Sequence, residues 1–305
     1  MSLADAPGIV RLALVASPRG LGLDTFWSVQ LILAMVLNAF LQAVQVGAYA
    51  ARLAGVQTGR IGTSISLFNL FVTASRFANM FYAPLLGSIS DTAGRTALAV
   101  PALAAAQTAQ FEWQIRGIVA AGTIGTVAGA ILLPTFVYLF VRGVAAFERR
   151  GSIPRSLARL GDPRVLGAVL RTVRLPSAAL LRRFSLRDVP LKLLVGNIVV
   201  TAIQAIAVVA AYEASILRPD VARTALSASG LVNGIATISF AIIVDPTSAY
   251  IVDQAARGER SVENVRAMVF YLALTFVLGT LASQIILYPA ALFIGSAAHY
   301  VFAPH

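Results

Sequence analysis

The sequence predicts an all-α polytopic membrane protein with six transmembrane helices. Hydrophobic residues make up 58% of the 305 residues, charged residues only 12%, and the mean hydropathy is +0.81. Soluble domains carry about 25% charged residues, so a soluble fold is not expected. Six apolar runs are long enough to cross about 30 Å of hydrocarbon as helices. Helices are expected because a backbone in lipid has to satisfy its own hydrogen bonds.

The six spans fall into two groups of three. They are predicted at 26–51, 61–89, 114–142, 191–213, 224–250 and 267–297. We divide the chain into an N-terminal extracellular segment at 1–25, a three-helix unit at 26–142, a basic cytoplasmic loop at 143–190 and a second three-helix unit at 191–305. The first segment does not resemble a secretory signal, because Asp5 and Arg11 interrupt it.

Basic residues predict the orientation of the chain in the membrane. Most of the 24 lysines and arginines lie in loops on one side of the predicted spans, above all at 143–192. Loops rich in lysine and arginine stay in the cytoplasm. We therefore expect the long central loop in the cytoplasm and both termini outside.

The central loop is expected to contact the membrane surface. Asp162 and Pro163 are typical of a helix start. In a helix that follows them, the apolar residues would lie on one face and the arginines on another. Such a helix would lie on the leaflet and bind acidic lipids. Alternatively, the loop is solvated and only fixes the topology. Because the positive charge lies between spans, nucleic acid is not an expected partner.

The two units resemble each other in sequence. Ala48–Tyr49 matches Ala211–Tyr212, and two further groups follow at nearly the same offset: Arg60, Ser64 and Ser66 with Arg223, Ser227 and Ser229, then Pro84 and Asp91 with Pro246 and Asp253. Units with an odd number of spans sit in opposite orientations. The sequence therefore predicts a 3+3 inverted repeat.

Polar residues recur three or four positions apart along four spans, so each set forms a stripe on one helix face. The stripes contain Asn38, Gln42, Gln45, Tyr49 and Arg52; Thr63, Ser66, Asn69, Thr73, Arg76 and Asn79; Asn197, Thr201 and Gln204; and Ser229, Asn233, Thr237, Asp245 and Ser248. Facing stripes would enclose a polar cavity, with Gln42, Gln45, Asn69, Asn79 and Asn233 as candidate substrate-binding residues. Alternatively, single amides only join helices, at about 0.6 kcal/mol per bond.

Spans three and six carry small residues instead. Gly122, Gly125 and Gly129 lie on span three, and Gly279 and Ser283 on span six. This spacing is typical of close helix packing, so these spans are expected to be scaffold or a dimer surface. Pro134 and Pro289 are expected to bend them, and Pro246 to kink span five.

Arg76 lies near the centre of span two. An arginine there costs about 2.5–3.5 kcal/mol, so we expect it to face an anion or a watery cavity. Asp245 falls at a similar depth in span five under the repeat. Either the two only lock helices together, or Asp245 acts in gating or proton coupling. Asp253 is a second gating candidate, although charges are common at helix ends.

An enzymatic function finds no support in the sequence. The only histidines are His299 and His305, there is no cysteine, and no hydrolase, zinc-protease or phosphate-loop motif is present. We expect no catalytic residue, metal or cofactor. The remaining classes are a transporter and a binding scaffold.

Four short motifs follow one another in the first half of the chain: ARLAGVQT at 51–58, SISLFN at 64–69, SRFAN at 75–79 and APLLG at 83–87. They resemble the Amj family, the bacterial lipid II flippases known as alternates to MurJ. The resemblance implies movement of undecaprenyl-pyrophosphoryl disaccharide pentapeptide across the bacterial inner membrane for peptidoglycan synthesis.

The predicted polar stripes suit that substrate. Arg76 and Arg52 would hold the pyrophosphate, because arginine presents a planar fork of donors to phosphate oxygens. The polyprenyl tail would stay in lipid through a lateral opening. Two rival functions remain, a carrier for another anionic polyprenyl lipid such as undecaprenyl phosphate and a non-transporting scaffold. A homodimer is plausible because six spans are few for so large a headgroup.

Overall fold

A computed structural model of the chain describes residues 26–150 and 189–302. In these two ranges the chain is helical and forms no strand. The helices are α1 Val29–Thr58, α2 Ile61–Ala99, α3 Ala104–Ile131, α4 Leu133–Arg150, α5 Leu191–Leu217, α6 Ala222–Ser227, α7 Ser229–Ser239, α8 Asp245–Ala256 and α9 Val262–Ala297. The predicted interfacial helices of the central loop and the segment 1–25 lie outside the described residues.

Five helical stretches are long and apolar enough to cross a membrane. They are Val29–Thr58, Pro101–Ile131, Leu191–Leu217, Pro219–Ala256 and Val262–Val301. The described chain is all-helical, as predicted, and these five stretches are compatible with a polytopic membrane protein. The predicted span 61–89 is helical within α2, but only Ile61–Leu70 forms a short apolar stretch there. The polar stripe lowers the hydropathy of α2, so the count of six is not established by this criterion.

The third span lies earlier in the chain than 114–142. Helix α3 already begins at Ala104 and ends at Ile131, after which α4 begins at Leu133. Pro134 lies in the first turn of α4, where its missing N–H costs no helical hydrogen bond. The alanine-rich residues 96–109, which lie between predicted spans two and three, belong mostly to α2 and α3.

The fifth span is a broken helix. After α6 and α7, residues Phe240–Val244 form a π-helical turn, and α8 follows with Pro246 in its first turn. The backbone N–H of Asp245 bonds to the carbonyl of Phe240. The hydrogen-bond pattern therefore changes directly before Pro246, the residue at which the sequence predicted a kink.

Helix α3 packs closely on α1, and α9 packs closely on α5. A Cβ at Gly125 would collide with the carbonyl group of Ala39, and one at Gly279 would collide with the side chain of Thr201. Only glycine permits these approaches, so the small residues of spans three and six serve the close packing that their spacing predicted.

Two hydrophobic clusters hold the halves of the chain together. One includes Ile115, Ile206 and Leu287. The other includes Tyr49 and Met268. Because each cluster draws on helices from before and after the central loop, the two halves form one packed unit.

Candidate functional site

A cavity of about 740 Å³ lies between helices α1, α2, α5, α7 and α8. Its wall contains eight of the residues that the sequence singled out, namely Gln42, Gln45, Arg52, Asn69, Asn79, Asn233, Asp245 and Asp253. Helical periodicity explains this convergence, because residues three or four positions apart share one helix face. The structure therefore brings the polar stripes of both halves to one space.

Arg76 lies on the face of α2 that lines the cavity. It lies seven residues after Asn69 and three before Asn79, and both of those residues line the cavity. Helix geometry places its backbone on the same face of α2. The side chain of Arg76 is outside the described part of the chain, so its pairing with Asp245 stays a hypothesis.

Arg52 and Asp245 form an ion pair across the cavity. The Nη2 atom of Arg52 donates to Oδ1 of Asp245 at 2.5 Å. The Arg52 side chain is 12% exposed and that of Asp245 is 55% exposed. The sequence had placed both residues at the site but had not paired them with each other. The pair joins α1 to the start of α8.

Arg52 keeps unused capacity to bind an anion. Its Nη1 atom is buried and has no hydrogen-bond partner among the described residues. A guanidinium presents five donors in a planar fork, so one ion pair leaves others for a second acceptor. Arg52 therefore offers an entering anion a donor that Asp245 does not occupy.

Some stripe residues tie helices together. The hydroxyl of Tyr49 donates to Oδ1 of Asn197 at 2.8 Å. Asn197 in turn donates to the Leu272 carbonyl at 3.0 Å and to Oγ1 of Thr275 at 2.9 Å. Asn197 is fully buried. It acts as the structural amide that sequence reasoning had kept as an alternative.

Asn38 combines both roles. Its side chain lines the cavity and also donates to the Ile118 carbonyl of α3 at 2.8 Å. The hydroxyls of Thr73 and Thr237 bond to carbonyls of their own helices, Asn69 and Asn233 respectively. The polar wall is thus made mainly by amides and by Arg52.

Sequence reasoning missed the aromatic part of the wall. Phe68, Tyr82, Phe240 and Phe276 line the cavity with the polar residues. Phe68 packs edge-to-face on Phe140 of α4, and Phe276 does the same on Tyr49. No sequence signal separates these rings from other apolar residues of the spans, since the chain holds 16 phenylalanines. They give the cavity a mixed polar and apolar surface.

The charges of the cavity are few and of both signs. Among its described lining residues, Arg52 is the cation and Asp245 and Asp253 are the carboxylates. The described residues contain no cluster of histidine and acidic side chains that could hold a metal ion. The arrangement can bind a polar molecule through amides, and it can direct an anionic group toward α1 and away from α8.

The comparisons with known proteins agree with one another. A family described as Amj, Alternate to MurJ, matches residues 37–298. A curated protein of Bacillus subtilis (strain 168), "Lipid II flippase Amj", is 36% identical over 255 residues, which are 83% of this chain and 91% of the relative. No solved structure matches the chain. The match covers every residue that lines the cavity, and the chain belongs to the Amj family.

Proposed function

We propose that the protein is a transporter that flips lipid II from the inner to the outer leaflet of the bacterial inner membrane for peptidoglycan synthesis. The observation that carries the proposal is the cavity in which Arg52, Asp245 and the amide stripes meet. The name of the Bacillus subtilis relative supports lipid II as the substrate. A flippase moves an intact lipid, so no catalytic residue is required.

The pyrophosphate of the lipid binds Arg52 and Arg76. Arg52 has a buried donor without a partner among the described residues, and the backbone of Arg76 lies on the cavity face of α2. Bonds between arginine and phosphate are charge-assisted, and the guanidinium can bind in a bidentate fashion. The amides of Gln42, Gln45, Asn69, Asn79 and Asn233 supply donors and acceptors for the sugars and the peptide.

Asp245 competes with the pyrophosphate for Arg52. When the lipid enters, its phosphate oxygens replace the Asp245 carboxylate on the guanidinium. When the lipid leaves, the ion pair forms again and closes the contact between α1 and α8. Asp253 belongs to the same wall, is exposed, and repels the pyrophosphate from its end of the cavity.

The polyprenyl tail leaves the cavity between α2 and the α7–α8 segment. Helix α2 packs on α1, α3, α4 and α5, whereas α7 and α8 pack mainly on α1, α5 and α9. Large apolar side chains are exposed on both sides, with Met80 and Phe81 on α2 and Ile238 and Ile242 on the other side. This opening keeps the tail in hydrocarbon while the headgroup crosses.

Two matching contacts support the 3+3 inverted repeat. Asn38 and Thr201 lie at equivalent positions, each eleven residues before the tyrosine of its unit, Tyr49 or Tyr212. A Cβ at Gly122 would collide with the Asn38 side chain, as one at Gly279 would with Thr201. The first and third helices of each unit therefore meet through a polar residue and a glycine. In this scheme α2 is the second of six spans.

Transport follows from rocking of the two three-helix units around the cavity. The unit of residues 26–142 moves against the unit of residues 191–305, which is the alternating-access scheme of inverted-repeat carriers. The excess of basic residues at 143–190 keeps that loop in the cytoplasm, where it binds acidic lipids, and leaves both termini outside. A homodimer would give more room for the headgroup.

The experiment is complementation of bacterial cells depleted of their other lipid II flippases. Wild type is expected to restore growth and the exposure of lipid II outside the cell, and Arg76→Ala and Arg52→Ala are expected to fail at equal membrane levels. Arg60→Ala is the matched control, because Arg60 is exposed, pairs with Glu148 and does not line the cavity. Failure of well-expressed wild type would contradict the proposal and favour another polyprenyl lipid or a scaffold.

A further inference from the structure

Glu213 is a buried carboxyl group in a membrane-spanning helix. It lies in α5, is 3% exposed, and belongs to a stretch long and apolar enough to cross a membrane. Both of its carboxylate oxygens are inaccessible and have no hydrogen-bond partner within the described ranges 26–150 and 189–302. Glu213 does not line the cavity, so the proposed transport site does not account for it.

The surroundings of Glu213 are apolar on its own helix and charged on α3. Ile206, Val209 and Ala210 share its face of α5 and are buried in the hydrophobic cluster. Glu112 and Arg116 of α3 act electrostatically on its carboxyl group. Those two residues pair with each other at 2.9 Å.

Among the described residues, the other charged groups on the helices packed against this end of α5 are engaged elsewhere or exposed. Arg218, Asp220 and His299 pair with one another at the end of α5. Asp91 and Arg95 of α2 and Arg223 of α6 are exposed. Arg116 is therefore the cation best placed to meet Glu213.

An ionised carboxylate without hydrogen bonds is strongly disfavoured inside a protein and in a membrane. In the arrangement described, Glu213 therefore carries a proton. Ionisation would require a partner, and the guanidinium of Arg116 is the group available to provide one.

Arg116 already ties the two halves of the chain together. Its Nε and Nη2 atoms donate to Glu112, and its Nη1 donates to the Gln284 carbonyl of α9 at 3.0 Å. The Gln284 amide donates back to the Arg116 carbonyl at 3.0 Å. An anion at Glu213 would draw the Arg116 guanidinium away from Glu112 and from the Gln284 carbonyl. The proton on Glu213 thus decides which partners Arg116 keeps.

We propose that Glu213 is a proton-binding site that couples proton movement to the rocking of the two three-helix units, an inference that rests on the proposed transport function. Proton binding to the carboxylate favours the arrangement in which α5 packs on α3 and Arg116 holds Gln284. Proton release favours the arrangement in which Arg116 turns to Glu213. One proton is bound and one released in each cycle, and the O–H bond of the carboxyl group is the only bond that forms and breaks.

The rival explanation is a permanently protonated carboxyl group that only fills space. Its position argues against this, because Glu213 belongs to the second unit and its charged neighbours belong to the first. A carboxyl group that only fills space does not require a nearby cation such as Arg116, which can exchange its partners. The site would take a proton and no larger ligand.

The test uses the full chain in proteoliposomes and has two readouts. Infrared difference spectra between acidic and alkaline pH are expected to show a protonated carboxyl band that appears and disappears reversibly and is absent from Glu213→Gln. Flipping of lipid II is expected to accelerate under an imposed pH gradient, by up to about tenfold per pH unit for one coupled proton.

Glu213→Gln is expected to flip lipid II at one rate with or without the gradient, and Glu213→Asp to keep part of the response. Glu263→Gln is the matched control, because Glu263 is exposed at the start of α9 and pairs with Arg266. It is expected to keep the full response.

The outcomes separate the two proposals. Wild type that flips lipid II without any effect of the gradient overturns proton coupling and leaves the flippase intact. Wild type that does not flip lipid II contradicts the proposed function, and the infrared readout still decides whether Glu213 binds a proton. A carboxyl band that stays unchanged at every pH shows a space-filling group and overturns the inference. If Glu213→Gln does not fold, wild type and Glu213→Asp give the same decision.

Discussion

Arg52 of α1 and Asp245 of α8 are joined by an ion pair across the cavity, although 193 residues separate them in the chain. The pair connects a helix before the central loop to a helix after it, at the one place where the wall of the cavity carries both signs of charge among its described residues. Because the Arg52 side chain is mostly buried and Asp245 is more than half exposed, the carboxylate is the partner that an entering anion displaces more easily.

Exchanging the two charges tests whether the pair acts on the substrate or only locks the helices. Arg52→Asp combined with Asp245→Arg keeps an ion pair but moves the cation from α1 to α8. Flipping of lipid II in proteoliposomes is expected to fall about ten- to a hundredfold, the value of one charge-assisted hydrogen bond. Thermal stability is expected to stay near that of wild type.

The single variants complete this test. Asp245→Asn removes the competitor, so lipid II is expected to bind more tightly and to be released more slowly. Arg52→Ala is expected to bind it more weakly. A double variant that flips lipid II at the wild-type rate would show that the pair is only a structural lock.

Asn197 is expected to contribute to stability and not to substrate binding. Asn197→Ala removes the hydrogen bonds to Tyr49, Leu272 and Thr275 and leaves buried groups without partners. We expect a loss of about 1–3 kcal/mol in the free energy of unfolding, measured on the purified protein in detergent. Tyr49→Phe removes only one of these bonds and is expected to lose less.

The substrate readout separates this role from a binding role. Lipid II affinity of the Asn197→Ala protein is expected to remain unchanged at a temperature at which it is folded. A protein of normal stability with weakened lipid II binding would place Asn197 at the substrate instead.

The glycines of α3 offer a matched pair for testing helix packing. A Cβ at Gly125 meets the backbone of Ala39, whereas one at Gly117 meets no atom within 4 Å. Gly125→Ala is expected to destabilise the protein or to separate α3 from α1. Gly117→Ala is expected to stabilise it by about 0.5–1 kcal/mol, because alanine restricts the unfolded chain and favours helix. Equal stabilities of the two variants would contradict the close approach.

The cavity residues could be predicted from the sequence because they follow helical periodicity. Gln42, Gln45 and Arg52 lie on one face of α1 because they are three and seven residues apart, a spacing that can be read from the sequence. Their partners could not be predicted, since the meeting of Arg52 with Asp245 depends on how distant helices cross. The break at Leu132 also escaped prediction, because apolar residues continue on both sides of it.

The sequence already marked Glu213 as a candidate functional residue, although it was not selected. It is an acidic residue at the end of the predicted span 191–213, and a carboxyl group in an apolar run is a functional candidate by default. At the end of a predicted span, a charged residue passes for a helix terminus facing water. In the structure α5 extends to Leu217 and Glu213 is buried. Glu213 is therefore an interior carboxyl group of the helix and not an exposed helix end.

A disulfide between α2 and α5 is expected to stop transport. The hydroxyl oxygens of Ser90 and Ser215 lie 3.4 Å apart and both residues are buried, so cysteines at these positions are close enough for an S–S bond. Since the natural chain contains no cysteine, the engineered pair is the only one that can form within it. Helix α2 belongs to the first unit and α5 to the second, so the bond prevents their separation during rocking.

Flipping of lipid II is expected to disappear on oxidation and to return with a reductant, while Ser90→Cys alone stays active under both conditions. Full activity of the oxidised double variant, with cross-linking verified by mass spectrometry, would show that the two units do not separate at this contact.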